Sequence, residues 1–327
     1  MKLHSWSIDA MDRNPKFSLS IDNILTNFKA NMGAVYNTNE KKVNYFGDIL
    51  YSKWFVEIGL HAKIQNRGVN YFSSYDKLDT EIFDEANYGV SLSVPLNWNR
   101  GSYDFIFTPK VQYAFHKTNN YEDMPVLREN LNFGSITSGL TFAATKVKAI
   151  QHIYPRLGIA FDAQYQKSLK ESVNAEVANA TGTLFLPALM QNHGIKIDAA
   201  WKKELTSNNF TFVDNFDYSR GYEAIPNDEL YKLSFNYALP LLYPDWGFAG
   251  ITYFKRIRAN LFYDMSKVKY YNKTTDQNSY GMELFFDNTV FNLIPISFGF
   301  RESFLINKDV LNSDRKNNFE VVVQMSF

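Results

Sequence analysis

Tyr88-Gly89-Val90-Ser91-Leu92-Ser93-Val94-Pro95-Leu96-Asn97-Trp98 is the stretch that decides the fold class. Tyr88, Val90, Leu92, Val94, Leu96 and Trp98 make one face; Gly89, Ser91, Ser93, Pro95 and Asn97 make the other. A period of two belongs to a β-strand, because successive side chains point to opposite sides of a sheet. The alternation recurs along the chain. Leu157, Ile159, Phe161, Ala163 and Tyr165 oppose Gly158, Ala160, Asp162, Gln164 and Gln166. Ile195, Ile197, Ala199 and Trp201 oppose Lys196, Asp198, Ala200 and Lys202. Tyr231, Leu233, Phe235, Tyr237 and Leu239 oppose Lys232, Ser234, Asn236 and Ala238.

Composition narrows the class. The chain has 327 residues, 34 basic and 34 acidic side chains, and an aromatic share of 17%. A net charge of zero argues against a nucleic-acid partner, which calls for a basic excess. The absence of cysteine removes disulfide scaffolds, thiol nucleophiles and cysteine metal sites. No apolar run is long enough for a membrane-spanning helix, and mean hydropathy is −0.31. What remains is a large soluble all-β protein or a transmembrane β-barrel.

Three details favour the barrel. Aromatics recur where strands are expected to end (Trp54, Tyr88, Trp98, Tyr165, Trp201), as in interfacial girdles. Charge falls in the middle of polar faces, which a wet lumen permits and a dry core does not. Connections alternate between short and long. In the last third, the strand at 231–239 follows a long polar segment, 206–229, and leads into a tight turn at 240–246. The strand at 248–264 leads into a polar loop at 265–279. The strand from 280 ends in a turn at 288–293, and that at 295–305 in the loop 307–318. The last strand is 319–327. Long loops on one side and short turns on the other are the outer-membrane pattern. Earlier strands are expected at 3–8, 17–23, 28–36, 43–51, 54–64, 88–98, 103–116, 133–145, 157–166, 181–189 and 195–203. The total is about sixteen, with fourteen close behind. No linker or repeat divides the chain, so 1–327 reads as one antiparallel transmembrane barrel domain. No apolar segment of signal-peptide type opens the chain at Met1. That fits a processed chain, a piece of a longer protein, or one that stays inside the cell.

Phe319, Val321, Val323, Met325 and Phe327 form one face of the last strand, with Phe at the end. Outer-membrane barrels of Gram-negative bacteria commonly end so, and their assembly machinery reads that strand. The long segment before the fifth-from-last strand contains Phe216-Asp217-Tyr218-Ser219-Arg220-Gly221-Tyr222. Together these features resemble the bacterial surface antigen superfamily, which includes the barrel assembly insertase and the two-partner secretion transporters. The resemblance covers mainly 212–327. It implies a barrel of about sixteen strands whose sixth extracellular loop carries Arg220, Gly221 and Tyr222 into the lumen. There the arginine would meet the acid of a Phe-x-Asp motif on the second strand after the loop. Phe262-Tyr263-Asp264 supplies it. On that strand Thr252, Phe254, Arg256, Arg258, Asn260, Phe262 and Asp264 form the more polar face, so all are expected to face the lumen. The family's glycine after the Asp is replaced by Met265-Ser266. His4-Ser5-Trp6 and the stretch 255–264 also look like barrels from Bacteroidota, in which a β-propeller-like periplasmic region precedes the barrel; no such region lies within this chain.

The resemblance implies an outer-membrane location and a role in protein insertion, translocation or anchoring, without catalysis. Implied partners are outer-membrane lipid and lipopolysaccharide, the barrel assembly machinery, and client proteins or an upstream periplasmic domain. The alternative is a passive porin. Arg256, Arg258, Arg301, Lys196, Lys202, Asp198, Asp264 and Glu283 are expected to point inward, and their mixed signs suit a plugged lumen better than an ion filter. His4, His61, His116, His152 and His193 lie in no catalytic motif, and His116 and His152 read as strand-end residues. No cofactor or metal is expected. Asp76, Asp79, Glu81, Asp84 and Glu85 read as a solvated acidic loop, because their spacing matches no EF-hand.

Overall fold

The computed structural model describes residues 2–9, 14–25, 27–74, 77–119, 130–149, 151–207, 210–270, 273–291 and 294–325. They form nineteen strand segments in one antiparallel sheet. The first half comprises β1 (Lys2–Asp9), β2 (Lys16–Asp22), β3 (Phe28–Asn37), β4 (Lys42–Tyr51), β5 (Glu57–Ser74), β6 (Lys77–Ser93), β7 (Leu96–Arg100), β8 (Tyr103–Asn119) and β9 (Asn132–Lys146). The second half comprises β10 (Gly158–Ser168), β11 (Ala175–Pro187), β12 (Gly194–Ser207), β13 (Glu229–Leu242), β14 (Trp246–Phe248), β15 (Thr252–Tyr270), β16 (Lys273–Asp276), β17 (Ser279–Val290), β18 (Ile294–Leu305) and β19 (Asn317–Met325).

Three segments continue a neighbour. β6 and β7 both pair with β8, interrupted at Val94-Pro95, where proline cannot donate to a ladder. β13 and β14 both pair with β15. β16 and β17 both pair with β15. Nineteen segments less three continuations leave sixteen strands, each paired with the next in sequence. The described residues of β1 and β19 come within 8 Å at Cα, yet no ladder joins them.

The packing is inverted relative to a protein surrounded by water. Leu60, Ile64, Ile82, Val90 and Leu92 are exposed on the outer face, while Gln65, Arg67, Glu85 and His116 are buried inside. Buried charge with exposed aliphatics is stable where the outer solvent is hydrocarbon. Exposed aromatics gather at the turn side (Trp54, Phe55, Trp98, Trp246, Phe248, Phe291) and again partway up the strands (Tyr88, Tyr165, Tyr231, Tyr263, Tyr280). Tyr88 and Trp201 therefore lie within strands rather than at their ends, because pairing continues above this level.

That continuation corrects two expected loops. The segment 75–85 is strand from Lys77 onward, with Glu81, Phe83 and Glu85 inward and Ile82 outward; Asp76 lies outside the described residues. The segment 265–279 is mostly strand as well, because β15 runs to Tyr270 and β16 begins at Lys273. The expected turn at 240–246 shrinks, since β13 reaches Leu242. A bulge between Phe254 and Arg256 changes the lower part of β15. One extra residue flips the faces below it, so Phe254 stacks on the exposed Trp246 (5.6 Å) rather than facing the lumen.

Candidate functional site

The loop between β12 and β13, described from Phe210 to Asp228, is the sixth on its side of the sheet and turns inward. Its first part is anchored by apolar packing. Phe210 and Phe212 join Phe83, Phe133, Val173, Ala175 and Val177 in one buried cluster. Phe216, Tyr218 and Ile225 join Leu230 and Val268 in a second. Burial of such rings offsets the entropy of ordering the loop.

Asp214 organises the descent. Its carboxylate accepts from the Phe216 N–H (2.8 Å) and the Tyr218 hydroxyl (2.7 Å), and lies 3.3 Å from Lys202 Nζ. Burial opposes its ionisation, but Lys202, Tyr218 and the Phe216 N–H outweigh that and hold the carboxyl below the ordinary aspartate range. Its native value thus lies below its unfolded one. The anchor contributes fully above the ordinary aspartate range and weakens as pH falls through the native value. Hydrogen exchange of the 210–228 amides, corrected for the intrinsic pH dependence of exchange, should lose protection only below about pH 4; a loss between neutral and mildly acid pH would contradict this assignment.

The loop tip is a tight turn, with the Tyr222 N–H donating to the Ser219 carbonyl (3.1 Å). Arg220 reaches Asp264 by three bonds. Its backbone N–H (2.9 Å) and Nε (2.8 Å) donate to Oδ2, and Nη2 (2.6 Å) donates to Oδ1. The guanidinium fork thus meets both carboxylate oxygens. Its face lies 3.7 Å from the centre of the Phe262 ring, a cation–π contact. Nη1 lies 3.4 Å from Glu283 Oε1. Glu283 also accepts from Asn260 Nδ2 (2.7 Å) and Arg301 Nε (2.6 Å), and Arg301 reaches Glu320 on β19 (3.2 Å). The Asp264 side chain is wholly buried.

Gly221 sits at φ +90°, and a Cβ there would meet Leu305 Cδ2 at 2.8 Å and Ser303 Cβ at 2.9 Å. Gly221→Ala is therefore expected to cost about 1–3 kcal/mol, read as a lower urea midpoint of the refolded protein. The Tyr222 hydroxyl lies 2.9 Å from the carbonyls of Asn278 and Asn307. Ser266 places its hydroxyl 2.9 Å from that of Ser219.

Arg256 and Arg258 do not belong to this constellation. Both pair with Asp287, Arg256 through Nη2 (2.7 Å) and Arg258 through Nε (3.0 Å), near the turn side. Phe319, Val321 and Val323 face outward on β19. Phe327 and the Met325 side chain lie outside what the structure describes.

Sequence reading missed the wall opposite the tip. Arg67 is fully buried, pairing with Glu40 (3.0 Å) and Glu85 (3.0 Å), and its Nη2 donates to the Thr211 carbonyl of the loop (3.0 Å). Glu85 also meets His116 Nδ1 (2.6 Å), whose Nε2 meets Ser135 Oγ (2.8 Å). His116 is thus a buried link in a network, not a strand-end residue. His61 likewise bridges Asp48 (2.9 Å) and Ser91 (2.6 Å). The order acid–His–Ser recurs in hydrolases. Here, however, Ser91 and Ser135 lie within ladders that use the neighbouring backbone N–H groups, and Ser135 is fully buried. Cross-strand register was the missing signal: His116, Glu85 and Ser135 lie on three successive strands.

Loop and wall enclose a lumenal cavity of about 1560 Å³, lined by Lys196, Asp198, Lys202, Arg258, Glu283 and Arg301 among others. The class this defines is an antiparallel barrel of sixteen strands that holds its sixth loop inside through an Arg–Asp pair. Solved structures of like architecture include CdiB from Escherichia coli (TM-score 0.62, 11% identity, covering 98% of this chain and 62% of that one). BamA from Haemophilus ducreyi lacking POTRA domains 1–3 is similar too (TM-score 0.61, 12% identity, 98% and 69%). So is CdiB from Acinetobacter baumannii (TM-score 0.57, 11% identity, 98% and 59%). At these identities the likeness establishes the fold. The chain spans about 62% of the length of the E. coli CdiB. No family model matches the chain, and no curated protein sequence matches it.

Proposed function

We propose that this chain is a bacterial outer-membrane barrel that works in the insertion, translocation or anchoring of proteins at that membrane. The observation that carries the reading is the sixth loop pinned in the lumen by Arg220 and Asp264. A solute pore needs a continuous aqueous path, which a loop pinned across the lumen obstructs; a barrel that handles polypeptide has reason to keep its channel closed at rest. The barrels of BamA and CdiB have the same architecture, and the Arg-Gly-Tyr loop is similar to that of the surface antigen superfamily. The first and last strands supply a route. Ladder bonds join every other neighbouring pair, whereas β1 and β19 approach without one among the described residues. Opening there exposes two strand edges able to template a third strand. No catalytic step enters this reading. Barrel assembly machinery, lipopolysaccharide and client proteins are its partners.

A cysteine in β1 and one in β19, joined by oxidation, test it. The reduced protein in liposomes should speed the folding of an added unfolded outer-membrane barrel, and the oxidised one should not. No acceleration in either state, together with a large steady conductance, would favour the porin instead.

A further inference from the structure

The turn-side end of the lumen carries an unbalanced cluster of positive charge. The segment between β9 and β10 folds inward there, so that Ile153 is buried and Tyr154 packs against Phe185 (6.0 Å). Its Gln151 carbonyl accepts from Arg256 Nη1 (3.2 Å), which ties the segment to β15. Lys148 from this segment and Lys255, Arg256 and Arg258 from β15 line the same cavity. The one carboxylate among them is Asp287, which is already engaged by both arginines and by the Ser297 hydroxyl (2.7 Å). Of the other acids lining the cavity, Glu283 is engaged by Arg220 and Arg301, Asp198 by Lys196, Glu320 by Arg301, Glu85 by Arg67 and His116, and Asp214 by Lys202, while Asp162 accepts from the Thr141 hydroxyl and Gln164 Nε2. Lys148 and Lys255 are exposed and make no hydrogen bond or ion pair among the described residues. Partial shielding from water inside the lumen, and then Arg256, Lys255 and Arg258, push the Lys148 ammonium down.

We propose that Lys148 and Lys255, beside the Asp287-bridged Arg256 and Arg258, form a binding site for a phosphate group at the turn-side end of the lumen. Four cations against one carboxylate leave an excess of three charges. Chloride or a single carboxylate neutralises one of them. A phosphate carries more charge, and its oxygens accept from several ammonium and guanidinium donors at once. The bulge at Phe254/Arg256 matters here, because it brings Lys255 to the lumenal side together with Arg256. The site rests on this geometry and is independent of the proposed role in protein handling.

The test is calorimetric titration of the refolded barrel in neutral detergent at low, constant ionic strength, where charge pairing is least screened. Sodium pyrophosphate probes free phosphate, and dihexanoyl phosphatidic acid probes a lipid headgroup. Saturable binding of either is expected, weakened at least about tenfold in the Lys148→Ala/Lys255→Ala double variant and unchanged by Lys53→Ala, a turn-side control. Which probe binds identifies the source. The double variant breaks no ion pair, and heat-modifiable migration on a gel verifies its fold; Lys148→Gln and Lys255→Gln singly should each weaken binding. No binding of either probe, or equal binding by wild type and double variant, would overturn the site.

Discussion

Arg220→Ala is expected to release the sixth loop and destabilise the barrel by about 3–5 kcal/mol, the cost of stranding a buried charge. The loss is asymmetric. Without the guanidinium, Asp264 keeps a carboxylate wholly buried beneath the loop, while Glu283 still has Arg301 at 2.6 Å. In Asp264→Ala, Arg220 keeps Glu283 at 3.4 Å and a side chain 15% exposed to the lumen. The arginine variant should therefore lose more stability than the aspartate variant, read from urea midpoints. Arg220→Lys should rescue little, because one ammonium cannot make the paired contacts to both oxygens or cover the Phe262 ring. Equal midpoints for wild type and Arg220→Ala would show the pair to be energetically idle.

Arg67→Ala is expected to be at least as damaging, again about 3–5 kcal/mol. Its guanidinium stands between Glu40 and Glu85, whose side chains are 6% and 1% exposed. Truncation leaves two facing carboxylates buried, with His116 the remaining partner of Glu85. It also removes the donor to the Thr211 carbonyl, the loop's upper anchor. The refolded fraction, seen as heat-modifiable migration on a gel, should fall steeply. Arg67→Ala combined with Glu40→Gln and Glu85→Gln should recover part of it, since the buried charge is then gone. A fully refolded single variant would contradict this assignment.

Much of the barrel was legible because period two survives in almost every strand. Asp264 was legible for the same reason: its parity on β15 sets it on the lumenal face with Phe262. Parity does not report height. Arg256 shares that face, yet eight residues of strand put it roughly 26 Å from Asp264, so it answers to Asp287 instead. The bulge beside it left no mark in the alternation. The segment 75–85 was misread by composition: its acids suggested a solvated loop, although Glu81, Phe83 and Glu85 alternate with Thr80 and Ile82. Glu283 as a second partner of Arg220, and the Arg67–Glu85–His116 chain, depend on register between strands, which a single sequence does not display.

Planar-bilayer conductance tests the plugged lumen most directly, comparing wild type, Arg220→Ala, Asp264→Ala and the double variant. A pinned loop predicts low conductance in the wild type, a similar rise in each single variant, and no further rise in the double. Large conductance in the wild type, unchanged by either substitution, would mean an open pore and would contradict the account.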